Sequence, residues 1–288
     1  MREKLLLLPV AAVFLLLLAP PSRAQAPEST ALPWAYSTWF GSGWYRVGDE
    51  RDVFVVRYAP RRLLREPALD EDGSRTVGVE VRFPVTVGLN HFPLDDLAGS
   101  VDFENLANVS LTPSLYFDVP VDERWSLRPF AAVGWGTVLN DDDSAWTYWA
   151  GIRSRYVLKT GTLEVALYNA VGFVGHTPDR GPSQRFWPIT NGLEFRYPPG
   201  FLRWRGEQLE LHWHVAHTYF QNDLDLLGRE RETEPISDEW ELALAISRED
   251  EAIRLWRLSF ERLGLAYRFS SDGELQGIGL VFQSLFNE

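Results

Sequence analysis

The chain has 288 residues, a formal net charge of −12, no cysteine and 14% aromatic residues. The negative balance argues against a general nucleic-acid-binding surface, and the missing cysteines exclude a disulfide-stapled fold. After the N-terminal segment no stretch approaches the roughly 18 apolar residues of a membrane-crossing helix.

Arg2 and Lys4 precede a 14-residue apolar run, Leu5 to Leu18, and Ser22-Arg23-Ala24 follows it. A basic start, a short apolar stretch and small residues at the −3 and −1 positions predict a secretory signal peptide cut after Ala24. The run is short for an uncleaved anchor helix. Removing 24 residues from 288 leaves Gln25 to Glu288, 264 residues, as one domain. A cysteine-free chain suits passage through an oxidising compartment.

The mature sequence reads as an all-β, up-and-down antiparallel barrel of about twelve strands. From Val77 to Leu89 every second residue is apolar, with Glu80, Arg82 and Thr86 among those between. That period of two gives a strand with one greasy and one polar face. The strands expected in chain order begin with Tyr36–Val47, Val53–Arg62, Thr76–His91, Asn105–Val119, Trp125–Val138 and Ala145–Leu158. Thr162–Gly175, Trp187–Tyr197, Glu207–Phe220, Asp238–Ser247, Arg254–Phe269 and Glu274–Phe286 follow. The eleventh changes phase near Glu261, where a β-bulge is expected. Twelve strands in 264 residues leave about 22 each, room for a membrane strand of roughly ten residues and its turn.

Even parity puts both termini on the periplasmic side. Connections after odd strands, such as Asn90–Glu104, His176–Phe186 and Gln221–Ser237, are then external and long. Connections after even strands are periplasmic and short, as at Pro120–Arg124 and Lys159–Gly161. Asp141-Asp142-Asp143 reads as a solvated external turn rather than a Ca²⁺ loop. Trp125 and Trp135, Trp146 and Tyr156, and Trp187 and Tyr197 each lie ten residues apart on one strand. Ten residues tilted in a barrel wall rise about 26 Å, close to the height of an outer-membrane apolar band. Pro84, Pro113 and Pro129 fall inside strands, and each requires a bulge or local break.

The inward face is crowded with both charge signs. Glu80, Arg82, Arg128, Arg153, Arg155, Glu164, Glu194, Arg196, Glu210, His212 and His214 are the candidate lumen-lining residues, with Glu239, Glu241 and Arg268 on the same face. Mixed charge predicts cross-strand ion pairs filling a narrow interior, whereas a selective pore more often carries one sign at its constriction. His212, His214 and Glu210 could touch a metal, but no third histidine closes the site. Neither a metal nor a cofactor is expected. Membrane-barrel lipid hydrolases carry His and Ser two apart on one strand; His91, His176, His212, His214 and His217 all lack that Ser. No catalytic residue is assigned.

Two segments carry a resemblance. Tyr267-Arg268-Phe269, the turn Ser270 to Gly273 and Gly277 to Phe282, ending near Phe286, resemble the terminal hairpin of outer-membrane barrels. Their last aromatic residue is read by the barrel-assembly machinery; here Asn287 and Glu288 follow it. Trp125 to Phe130 with Gly134-Trp135-Gly136 resembles the solitary autotransporter-like barrels, translocator-type domains without a passenger. The resemblance implies an outer-membrane location, no established chemistry, and a monomer in contact with outer-membrane lipid, lipopolysaccharide and the assembly machinery. The expected role is structural, or passage of a small solute. The alternatives are a lipid- or lipopolysaccharide-modifying barrel enzyme, tested by mutating His217 and the adjacent Thr218 on the opposite face, and a soluble periplasmic barrel with Val77–Leu89 turned inward around an apolar ligand.

Overall fold

A computed structural model describes residues 34, 39–48, 51–90, 106–138, 143–180, 183–204, 206–224, 236–248, 252–255 and 258–287. The expected signal peptide, the connection 91–105 and Asp141-Asp142 lie outside the described residues. Twelve antiparallel wall strands close into a barrel. They are β1 (Gly43–Val47), β2 (Arg51–Tyr58, continuing as Arg61–Arg65), β3 (Gly78–Arg82 and Val85–Asn90) and β4 (Leu106–Leu111 and Ser114–Pro120). Then come β5 (Trp125–Val138), β6 (Ser144–Thr160), β7 (Leu163–Pro178) and β8 (Gln184–Tyr197). The circuit ends with β9 (Glu207–Leu224), β10 (Ile236–Arg248), β11 (Leu263–Phe269) and β12 (Leu275–Val281). Each strand pairs with its neighbours in sequence, and β12 pairs with β1.

The pleat explains which side of each strand is wet. On β3, Glu80, Arg82 and Thr86 are buried, while Phe83 and Val85 on the other face are exposed. The Val77–Leu89 apolar face therefore points out of the barrel, opposite to what an internal apolar ligand would need. The same holds around the wall: Leu115, Val133, Ile152, Val171, Ile189, Leu244 and Leu265 are exposed. An apolar belt of this extent on the outside of a closed barrel marks a surface made to be covered. The ten-residue aromatic spacing becomes two levels of cross-strand neighbours, with Trp135 beside Trp146 and Trp125 beside Tyr156.

The prolines act together. Phe83 N donates to Pro60 O at 3.0 Å, Thr112 N to Pro84 O at 3.0 Å and Val133 N to Pro113 O at 3.1 Å. A proline nitrogen has no proton to give the ladder, but its carbonyl still accepts. Pro60, Pro84 and Pro113 thus form one crease running across β2, β3 and β4 onto β5. Pairing resumes in the same register beyond it: Tyr58 opposes Val85 and Arg61 opposes Arg82. Pro129 breaks the ladder on one side only: pairing with β4 lapses between Leu127–Val119 and Phe130–Tyr116, while toward β6 Pro129 opposes Ile152 in a continuous ladder.

Four expectations are corrected. The first strand is short, Gly43–Val47, because Trp39 and Phe40 leave the wall and pack inside the barrel. Residues 254–269 are not one bulged strand: Ile253–Leu255 and Leu258–Phe260 form a separate small hairpin before β11. The phase change near Glu261 marks that corner. The last strand ends at Val281, and residues 284–287 turn into the lumen, so Phe286 does not terminate a wall strand. Asp143 is not a solvated turn residue; it is 1% exposed and its carboxylate accepts from Arg180 N at 3.3 Å.

The barrel has a loop end, with the connections after odd strands, and a turn end, with those after even strands. An aromatic cluster closes the lumen toward the loop end. Trp39 meets Phe220 edge-on at 5.2 Å, Phe186 at 6.0 Å and Trp149 at 6.0 Å. Trp34, 1% exposed, lies against β5, where a Cβ on Gly136 would stand 2.7 Å from its ring. Only a residue without a side chain admits the indole there. Gly136→Leu is expected to expel Trp34, forfeiting about 1.5–3 kcal/mol of buried side chain. Chymotryptic cleavage after Trp34 should speed up in that variant, and the added stability cost should shrink in a Trp34→Ala background to what the crowding against Ser110 Cβ, at 2.8 Å, and Val109 O, at 3.0 Å, imposes.

Candidate functional site

The inward charges sort into three groups. The first is an arginine–aromatic wall on β3 to β6. Arg82 Nε donates to Glu80 at 2.5 Å, and Arg128 grips both oxygens of Asp118 at 2.5 and 2.8 Å. The ring of Tyr116 takes the guanidinium of Arg82 over its face at 4.3 Å, with Arg128 at 5.5 Å and Arg153 at 5.9 Å. Arg153 also stands 4.7 Å from the Phe130 ring and 5.5 Å from that of Trp149. Stacking on aromatic faces stabilises a guanidinium where water is scarce.

The second group lies across the lumen on β9, β10 and β11. Glu241 meets His214 Nε2 at 2.6 Å and also accepts from Arg268. Arg268 reaches Glu239 at 3.4 Å, and Glu239 accepts from Trp39 Nε1 at 2.9 Å. The internal N-terminal segment is thereby tied to the wall network.

The third group is at the turn end. Glu164 lies 2.9 Å from Arg155, 3.5 Å from Lys159 and 3.8 Å from Arg196. Arg196 continues to Glu210 at 2.5 Å, Ser247 donates to Glu210 at 3.0 Å, and His212 Nε2 meets Ser247 at 2.8 Å. Glu194 pairs with Arg262 at 3.2 Å. His212 and His214 are thus engaged by different partners, Ser247 and Glu241. Among the described residues no cluster of three or more His, Asp or Glu side chains could hold a metal ion.

The chain's end joins these walls. Leu285 N donates to Glu194 at 3.2 Å, and Arg153 donates to Phe286 O at 3.3 Å. Arg82 donates to the backbone carbonyl of Asn287 and Arg128 to its side-chain amide oxygen. Asn287 Nδ2 reaches Glu261 at 2.8 Å. Residues 284–287 therefore lie across the lumen like a bar. A cavity of about 510 Å³ lies on one side and one of about 640 Å³ on the other, toward the turn end.

Periodicity assigned inward faces but not the crossing partners. Arg262 sits at the corner that the phase change near Glu261 marked. Trp39 and the bar read as continuations of the first and last strands, and nothing in the periodicity marks that both leave the wall. On the outer face near the loop end, His217 Nε2 meets Asp238 at 3.1 Å and stacks on Trp240 at 4.5 Å. Ser271 Oγ donates to the same Asp238 at 2.6 Å, and Thr218 points inward to Thr190 at 2.8 Å. The carboxylate sits between His217 and Ser271, so the histidine is not the group receiving the serine proton.

No protein-family model matches the chain, and no curated protein matches it. Solved structures do. The β domain of the Bordetella autotransporter BrkA superposes with a TM-score of 0.50 at 10% identity, over 83% of this chain and 92% of that one. The transport unit of the autotransporter AIDA-I from Escherichia coli gives 0.45 at 12% identity, over 84% and 88%. The fold is that of an autotransporter β domain, a closed twelve-stranded antiparallel barrel.

Proposed function

We propose that the chain is an outer-membrane β-barrel whose lumen is closed at rest, a stable envelope element rather than an open general pore. The observation that carries this reading is the filled lumen. The C-terminal bar spans it at one level and the Trp39 cluster fills it at another. Membrane insertion is supported by the apolar outer face and charged interior, the pattern of transmembrane barrels. The loop end then faces outside and the turn end the periplasm. Export by the N-terminal signal and insertion by the barrel-assembly machinery belong to the same reading, as do contact with lipid and lipopolysaccharide and a monomeric state. Passage of a small solute would require both fillings to move.

The test has two parts. Cell fractionation with heat-modifiable gel mobility should recover the protein in the outer membrane, faster-running before boiling than after. Planar bilayers loaded with the refolded full chain should stay silent. Recovery in the soluble periplasm overturns the membrane reading, and steady large conductance overturns the closed lumen. An enzymatic reading on the outer face would need His217 and Ser271 hydrogen-bonded to each other, an arrangement Asp238 pre-empts.

A further inference from the structure

The wall has an open seam. β1 covers β12 and β2 only as far as Gly43, which pairs with Gly279 and Val55. Ser42 makes the last link, accepting from Leu280 N at 2.7 Å and from Arg57 N at 2.8 Å. Beyond it, among the described residues, no strand pairs with Tyr58–Arg65 of β2 or with Phe282 on this side; the corner after the small hairpin stands there instead, with Phe260 stacked on Phe282 at 4.8 Å and Glu261 3.9 Å from Arg61. Tyr58 and Leu280 flank the gap and are exposed on the membrane-facing side.

The cavity of about 510 Å³ lies behind this gap, lined by Tyr58 and Leu280 at the mouth and by Arg82, Tyr116, Phe130 and Arg153 at the back. Glu239, Glu241 and Glu261 also line the cavity; Glu239 and Glu241 hold Arg268, and Glu80 holds Arg82, which leaves Arg153 as the lining guanidinium without a carboxylate of its own. Arg82 is 2% exposed and its Nη2 has no hydrogen-bond partner. Arg153 is 3% exposed and no carboxylate lies within ion-pair distance of it among the described residues; it donates only to the Phe286 carbonyl. A buried guanidinium proton without an acceptor is costly, and two guanidinium groups beside one cavity form a site for an anion. The mouth is mixed: Tyr58, Pro60, Phe260 and Leu280 stand beside the ion pair of Arg61 with Glu261, 3.9 Å apart, on the side where lipid chains would lie.

We propose that this seam cavity binds one single-chain anionic amphiphile, its carboxylate or phosphate head group on Arg82 and Arg153 and its alkyl chain leaving between β2 and β12 into the bilayer. The proposal rests on the membrane reading above and goes beyond it, since a closed barrel needs no lateral site.

Equilibrium binding of radiolabelled hexadecanoate and hexadecyl phosphate to the refolded full chain in a neutral detergent tests it, with hexadecanol and inorganic phosphate as controls. Saturable binding of one equivalent of either anionic amphiphile is expected, with hexadecanol at least tenfold weaker and inorganic phosphate failing to displace at millimolar concentration. Which of the two binds tighter identifies the head group. Arg153→Gln orphans no carboxylate and should weaken binding at least tenfold, while Arg153→Lys should remain within a few-fold of the wild type. Equal binding of alcohol and acid, an Arg153→Gln variant that binds as well as wild type, or inorganic phosphate competing alone would each overturn the proposal. Heat-modifiable mobility, read on every preparation, reports the membrane-barrel reading separately: a barrel that folds and binds nothing fails here alone.

Discussion

Removing both the segment before β1 and the C-terminal bar should make the barrel conduct, and removing either alone should not. The C-terminal bar, residues 284–287, occupies the level of Arg82, Arg128 and Glu194. The aromatic filling of Trp39 and Phe40 against Phe186 and Phe220 occupies a level nearer the loop end. These are two seals in series. A chain lacking residues 284–288 should join the two cavities into one vestibule that still ends on the aromatic cluster. A chain lacking residues 25–40 should lose Trp39 and its bond to Glu239 but keep the bar. With both gone, a twelve-stranded wall lined by charged and polar side chains encloses water. Planar-bilayer recordings should then show single-channel steps at least about tenfold above either single deletion, because hydrated ions pass a wetted lumen and not an apolar constriction. Refolding into detergent from denaturant avoids dependence on recognition of the C-terminus in cells. Conduction by the C-terminal deletion alone would mean that the aromatic cluster is no seal.

Most of the wall was legible because a barrel strand repeats one rule. Side chains alternate between the outer face and the lumen, so Val79, Val81, Phe83 and Val85 announce a face whatever their partners are. Parity then places Glu80, Arg82, Arg128, Arg153, Glu194, Glu210, His212 and His214 inward without any knowledge of register. What alternation cannot encode is where a chain abandons the wall. Trp39, Phe40 and Phe286 are apolar residues at positions that continue a strand pattern, and a filled lumen accepts them as readily as the apolar outer face. The seam follows from the same blindness: a β1 starting at Tyr36 would have covered Tyr58 and Leu280, and one starting at Gly43 does not. The crease was half legible. Each proline demanded a break, but the alignment of Pro60, Pro84 and Pro113 depends on register, which turn lengths fix and periodicity does not. The crossing ion pairs, such as Glu194 with Arg262, required the closed geometry itself.

Glu241→Ala should cost about 3 kcal/mol of unfolding free energy, while Glu164→Ala should cost less than about 1 kcal/mol. Both carboxylates sit in networks on the inward face, so sequence alone gives them equal standing. Their surroundings separate them. The Glu241 side chain is 6% exposed and holds His214 at 2.6 Å together with Arg268, itself nearly buried. Deleting it takes the acceptor from two donors that have given up their water, and shifts Arg268 onto Glu239, which Trp39 already engages. Glu164 instead faces the turn end with Lys159, 74% exposed, and with the half-open Arg155 and Arg196. Its partners regain water as soon as it is gone. Denaturant unfolding of the refolded barrel in detergent, followed by tryptophan fluorescence, measures both. Glu241→Gln, which keeps acceptor geometry and loses the charge, should fall between wild type and Glu241→Ala. Replacing Glu241 and Arg268 together by Leu and Met should cost less than Glu241→Ala alone, since the penalty arises from the abandoned partner rather than from the lost attraction. If Glu164→Ala proved as damaging as Glu241→Ala, the lumen would be uniformly dry and the turn-end cavity of about 640 Å³ would not hold the water this ranking requires.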